Sequence, residues 1–221
     1  MPKRVAIVTG GNKGIGYAIV RGLGKKFDGD VYLTARNVER GLAAVQKLKN
    51  EDNISVKFHQ LDIDNEDSVQ TLSDFIKETY NGIDILVNNA AIAFKKNATE
   101  SSAIQAKLTV KTNYFSLKNV CDILFPHLKD GARVVNMSSS CGHLSKLAGG
   151  KAGAVEKLKA KFASSGDSLT VKELDGLMEN FIEASQMGTQ TVLGWPTTPM
   201  LYQRLVSVLC LGFSRKSLIK R

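Results

Sequence analysis

The sequence predicts a doubly wound α/β domain built on a parallel sheet. Three observations carry this. Five short apolar runs occur at residues 5–8, 31–34, 56–61, 83–87 and 133–137. Segments of helical period separate them, at 15–27, 38–50, 66–80 and 101–128. The first run feeds a glycine-rich turn that opens directly into helix. Short strands joined by helices pair in parallel and are buried on both faces. In such sheets a ligand sits beyond the carboxyl ends of the strands, near the point where strand order reverses.

The elements follow in order. Val5-Ala-Ile-Val8 is uniformly apolar, as a fully buried strand requires, whereas a hairpin strand would alternate. Asn65 precedes Glu66 and Asp67, which reads as an N-cap with acid in the first helical turn. Thr99 before Glu100 reads as a second such start. Residues 143–193 break the alternation. They read as a helical insertion, with helices at 156–163 and 172–187 and with Ser168 or Thr170 opening the second. Leu174, Leu177, Phe181 and Ile182 keep helical spacing there, which favours a packed arm over a solvated linker. The expected organisation is one domain over residues 1–199 and a divergent basic and apolar tail over 200–221.

Composition narrows the class. The chain has 221 residues, 43% hydrophobic and 23% charged, ordinary values for a folded domain with a large core. Cys121, Cys141 and Cys210 form neither a metal spacing nor an even disulfide set, so a reducing cytoplasm and no metal are expected. No apolar run approaches the roughly 20 residues of a membrane span. The net charge is +9, but residues 200–221 hold Arg204, Arg215, Lys216, Lys220 and Arg221 and no acid. More than half of the excess therefore belongs to the tail. No basic patch interleaved with aromatics is present, so nucleic acid is not the expected partner.

The turn Thr9-Gly-Gly-Asn-Lys-Gly-Ile-Gly16 is the most specific local signal. Gly10, Gly14 and Gly16 carry no Cβ, so backbone N–H groups and a positive helix end can approach a diphosphate. Asn12, Lys13 and Ile15 complete the same turn, and Lys13 adds a positive charge.

Further motifs extend the pattern: Leu33-Thr-Ala-Arg36, His59-Gln-Leu-Asp-Ile63, Val87-Asn-Asn-Ala90, Lys111-Thr-Asn-Tyr114, Val135-Asn-Met-Ser-Ser139 and Gly194-Trp-Pro196. Together they resemble the short-chain dehydrogenase/reductase superfamily over residues 4 to about 199, and most closely its monomeric, NADPH-dependent carbonyl reductases. The resemblance implies a Rossmann-type sheet, an NADP(H) cofactor, a small-molecule carbonyl substrate and a monomer. It implies roles for particular residues as well. Arg36 stands where an NAD enzyme would place an acid, and a guanidinium there suits a 2′-phosphate. Asp62 and Ile63 match the family's adenine contact, and Asn89 its ribose region. Asn113 matches the residue that bends a helix and holds a water of the proton relay. Ser139 matches the hydroxyl that hydrogen-bonds the substrate carbonyl.

The family completes its site with Tyr-x3-Lys, expected here at positions 200 and 204. Those positions hold Met200 and Arg204, while Tyr202 lies two residues late and is followed four residues on by Val206. A thioether has no proton to give. The family's last two strands are also missing from the expected fold, which leaves the sheet incomplete on its C-terminal side. Codons allowed for Pro199 to Leu205, read one base out of frame, can encode Tyr-Ala-Val-Ser-Lys-Ile, so a shifted frame accounts for the tail. The expected protein is a carbonyl reductase impaired in turnover. The alternative is an inactive NADP-binding or interaction variant.

Overall fold

The computed structural model describes residues 3–95, 97–139, 151–163 and 170–195. Two compact units make up the chain: Met1–Ala91 with Ser116–Met137, and Ile92–Phe115 with Ser138–Arg221.

The first unit holds the sheet. In chain order it contains β1 (Val5–Val8), α1 (Gly14–Lys26), β2 (Asp30–Ala35), α2 (Val38–Asp52), β3 (Lys57–Gln60), α3 (Glu66–Tyr80), β4 (Ile83–Asn88), α5 (Leu117–Leu124) and β5 (Leu128–Asn136). A 3-10 turn, Phe125–His127, links the last two, with Pro126 at its start. The sheet is parallel throughout, in the order β3-β2-β1-β4-β5. Strand order reverses at β1, between β2 and β4, as the alternation of strands and helices predicts. All four β1 residues are fully buried, which explains why the run does not alternate. Val8, Val20, Leu33, Leu48 and Ile54 form one core with the helices over them. Each such side chain stabilises the fold by about 1.5–3 kcal/mol.

Helix boundaries follow side-chain chemistry. Asn37 caps α2 by accepting from Arg40 N at 2.8 Å, and Asn65 caps α3 as expected, accepting from Ser68 N at 3.2 Å. Asn53 and Asn81 stop the same helices in the left-handed region, at φ 54° and 55°. Strand β2 runs one residue further at each end than predicted. Strand β5 starts at Leu128 rather than 133 and ends at Asn136 rather than 137. Its pairing with β4 jumps from Ile83↔Leu128 to Ile85↔Arg133, and Gly131 sits at φ 77° inside the irregularity. Polar Lys129 and Asp130 hid this first part from the hydrophobic pattern.

The second unit contains α4 (Ser102–Val110), the greater part of a π turn (Lys111–Ser116), α6 (Ala152–Ala163) and α7 (Val171–Met187). The single helix expected over 101–128 is therefore four pieces: α4, the π turn, α5 and the 3-10 turn. The cap of α4 is Ser101, which accepts from Ile104 N, and not Thr99. Thr170 opens α7 with a reciprocal capping box to Glu173; Ser168 lies outside the described residues. Helices α4 and α7 pack together. Leu174, Met178 and Phe181 supply the buried stripe of α7, while Leu177 and Ile182 are half-buried beside it. Trp195 is 1% exposed, lies 5.1 Å from the Phe181 ring and donates to Asn180 at 3.0 Å.

The amino ends of the strands carry a charge cluster. Asp30 accepts from Lys3, Lys57 and Tyr80, at 2.8, 2.8 and 2.5 Å. Burial alone raises the Asp30 carboxyl, but these donors outweigh it and bring its pKa to about 2. A folded pKa below the unfolded value of 3.8 gives stability that is full above that value and is lost as pH falls towards 2. The expected loss is about 2 kcal/mol. Urea unfolding between pH 5 and 2 tests it. Asp30→Asn should flatten the pH slope over that window, and an unchanged slope rules out Asp30 as its source.

Candidate functional site

The turn after β1 is laced to the end of β4. Thr9 is 2% exposed, and its hydroxyl oxygen accepts from Asn89 N and Ala90 N, both at 2.9 Å. Asn89 returns two bonds, its Nδ2 donating to Thr9 O at 2.9 Å and Gly10 O at 3.1 Å. Gly11 N donates to Thr34 O at 2.9 Å, which ties the turn to β2. Thr9 N and the Thr9 hydroxyl both donate to Val87 O, at 3.0 and 3.4 Å, and complete the lacing of this short turn.

Each glycine is required for a different reason. Gly10 has φ 64°, and a Cβ there would lie 3.0 Å from Ala90 Cα. A Cβ on Gly16 would lie 2.5 Å from Gly10 O and overlap Asn89 Nδ2. Gly14 has φ 58° and open space around it, so backbone conformation alone selects glycine there. Helix α1 starts with no side-chain cap at Lys13 and no acid in its first turn. Its first N–H groups, with the positive end of the helix dipole, are suited to an external anion. Asn12 is half-buried, and Lys13, Gly14 and Ile15 are exposed, Ile15 to 64%.

Arg36 is exposed, one residue past β2, and accepts on its carbonyl from Gln60 Nε2 at 3.3 Å. Asp62 lies two residues past β3. Its N–H donates to Ser68 Oγ at 3.0 Å and its carboxylate accepts from Asp64 N at 3.1 Å. Ile63 is 8% exposed. Asn89 also lies one residue past its strand. Thus Gly10, Asn12, Lys13, Gly14, Ile15, Gly16, Arg36, Asp62, Ile63 and Asn89 all lie in the turns and the helix start that follow β1, β2, β3 and β4, within one unit.

Asn113 and Ser139 belong to the other unit. Asn113 is 8% exposed and lies in the π turn. Its Oδ1 accepts from Ile92 N at 2.8 Å and its Nδ2 donates to Ile92 O at 3.0 Å. The amide thus mimics a strand partner for the segment after β4. Ser139 is exposed and lies three residues past β5 rather than at its end. Met200, Tyr202 and Arg204, with Cys141 and Cys210, lie outside the described residues. Among the described residues no helix is long and apolar enough to cross a membrane, and no group of three His, Cys, Asp or Glu could hold a metal ion.

Sequence reasoning gave Thr9 no role, although a threonine closing an apolar strand before a glycine is visible in the chain. It also missed the Asn88–Asn136 rung between the ends of β4 and β5, 2.8 Å long.

The sheet and the glycine turn at its reversal define the class of parallel α/β proteins that seat a ligand at the strands' carboxyl ends. Residues 4–155 match the family model for the short chain dehydrogenase, and the chain belongs to that family. It is 47% identical over 213 residues to carbonyl reductase 1 (NADPH) of Mus musculus, covering 96% of this chain and 74% of that one. It is 48% identical over 194 residues to the Homo sapiens protein of the same name, covering 88% and 67%. Among solved structures, menthone neomenthol reductase from Mentha piperita superposes with a TM-score of 0.84 at 29% identity, covering 99% of this chain and 86% of the other. Salutaridine reductase from Papaver somniferum gives 0.82 at 31%, covering 99% and 82%.

Proposed function

We propose that this chain is a carbonyl reductase by lineage that binds NADPH through the β1 turn and Arg36, with turnover impaired. The observation that supports it most is the cradle a Cβ would fill: Gly10 and Gly16 packed against Asn89, beneath an uncapped α1. When bound, NADPH supplies the hydride for an aldehyde, ketone or quinone. The chain's own residues supply the rest. Backbone N–H groups of α1 hold the diphosphate. Lys13 and Arg36 offer cations for a 2′-phosphate, Arg36 as a bidentate fork. Asp62 and Ile63 take the adenine edge, and Asn89, already fixed on Thr9 and Gly10, borders the ribose. Ser139 donates to the substrate oxygen as charge builds there. Asn113, with its side-chain amide committed to Ile92, is the residue for a relay water.

The proton donor is where this reading departs from a working enzyme. Met200 and Arg204 replace the expected Tyr-x3-Lys, so the new alkoxide has no acid in the usual place. This favours the second reading, an NADP-binding protein with little or no turnover. The packing of α7 on α4 supports a monomer, and the cysteine usage a reducing cytoplasm.

Fluorescence titration and a quinone-reduction assay test both parts. NADPH should bind at least about tenfold more tightly than NADH, the worth of one charge-assisted contact, and Arg36→Glu should erase that preference. Turnover should fall at least about a thousandfold below that of the Mus musculus reductase, within the range for loss of a general acid. Equal affinity for the two nucleotides overturns the cofactor assignment. Turnover within tenfold of the relative overturns the impairment.

A further inference from the structure

The turn after β3 does more than present Asp62 and Ile63. The Asp62 carboxylate accepts from Asp64 N, which curls the chain back before Asn65 caps α3. Asp64 in turn accepts the Ser116 hydroxyl proton, with Oγ and Oδ1 2.6 Å apart. That distance is the length of a hydroxyl donating to an ionised carboxylate. Ser116 is 8% exposed and is the last residue of the π turn that contains Asn113.

A π turn is a rare winding that persists only when something holds it open. Asn113, committed to Ile92, is one hold. Asp64 on Ser116 is a second, at the other end of the six residues. A serine hydroxyl in a helix otherwise turns back on a carbonyl of the preceding turn, which would let the segment tighten.

We infer that Asp64 is a positioning residue: it ties the turn carrying Asp62 and Ile63 to the closing residue of the π turn carrying Asn113. A dinucleotide seated at that turn then also steadies the π turn. This rests on the reading of Asp62 and Ile63 as a dinucleotide contact.

Hydrogen exchange of the full chain, with and without NADPH, tests it. Without nucleotide, Asp64→Ala should speed exchange of the amides of residues 113–118 by at least about tenfold, the scale of one charge-assisted bond, and leave β1 and α1 unchanged. Asp64→Asn keeps an acceptor oxygen and should restore most of the protection. Ser116→Ala should match Asp64→Ala, and the double variant should add little. With nucleotide, wild-type amides 113–118 should slow further, whereas Asp64→Ala should bind NADPH and show no slowing there. A purely structural bridge would not abolish that response. Unchanged exchange in ligand-free Asp64→Ala overturns the bridge, and equal slowing by NADPH in both proteins overturns the coupling. If NADPH fails to bind the wild type, the functional reading and the coupling fail together, while the ligand-free arms still decide the bridge.

Discussion

Gly16→Val abolishes NADPH binding and destabilises the fold by about 1–3 kcal/mol, the range for overpacking a tight site. The first atom a side chain meets there is Asn89 Nδ2, which is committed to Thr9 O and Gly10 O. The next is Gly10 O, a backbone atom, at 2.5 Å from the Cβ alone. Neither can swing away as the end of a flexible chain could. Helix α1 must back off, and the lacing between the turn and β4 must open with it. The diphosphate seat is lost because its N–H groups move, although no charge has changed. Gly14→Ala is the control. It enters open space and meets only the strain of φ 58°, so it should cost about 1 kcal/mol and weaken binding far less. Thermal unfolding and nucleotide fluorescence on both variants measure the contrast. Equal damage from the two would refute the steric argument.

Asn113→Leu lowers stability by about 2–4 kcal/mol, for a reason independent of catalysis. It removes two hydrogen bonds at once and strands both the N–H and the C=O of Ile92. Ile92 is half-buried, so each backbone group left unpaired there costs about 1–2 kcal/mol, the lower part of the range for a buried one. Asn113→Asp retains the acceptor for Ile92 N but sets an oxygen against Ile92 O, so it should fall between leucine and wild type. The order Asn, Asp, Leu in urea midpoints is the expected result. A leucine variant as stable as wild type would show that Ile92 finds other partners.

The sheet was legible because burial leaves a plain mark. Val5 to Val8 are apolar without interruption, and Asn65 with Glu66 and Asp67 announces α3 from local chemistry alone. The breaks in regularity were not legible in the hydrophobic pattern, and only the resemblance, which makes Asn113 a helix-bending residue, pointed to one of them. The π turn depends on Asn113 reaching Ile92, 21 residues back in the chain, and no window of helical period contains that contact. The early start of β5 is hidden by Lys129, Asp130 and Gly131, which read as a loop. The residues proposed to face the nucleotide were named through motif and resemblance. Thr9, Asp64 and Ser116 were passed over because their work is done on other protein groups, and a spacing pattern shows only what faces outward.

The two aspartates at the amino ends of β2 and β4 have a consequence for long-range forces. Asp30 draws in Lys3 and Lys57, and Asp84 draws in Arg4 and Lys129. Two carboxylates thus hold four of the chain's basic groups at one end of the sheet, each shared between two cations. At the opposite end Lys13 and Arg36 stand without an ion-pair partner among the described residues. Cations therefore stand at both ends of the sheet, but Lys13 and Arg36, at the carboxyl ends, are not already held by a carboxylate. Cations left open in this way draw an anion towards them from solution, a kinetic advantage that fades as ionic strength rises.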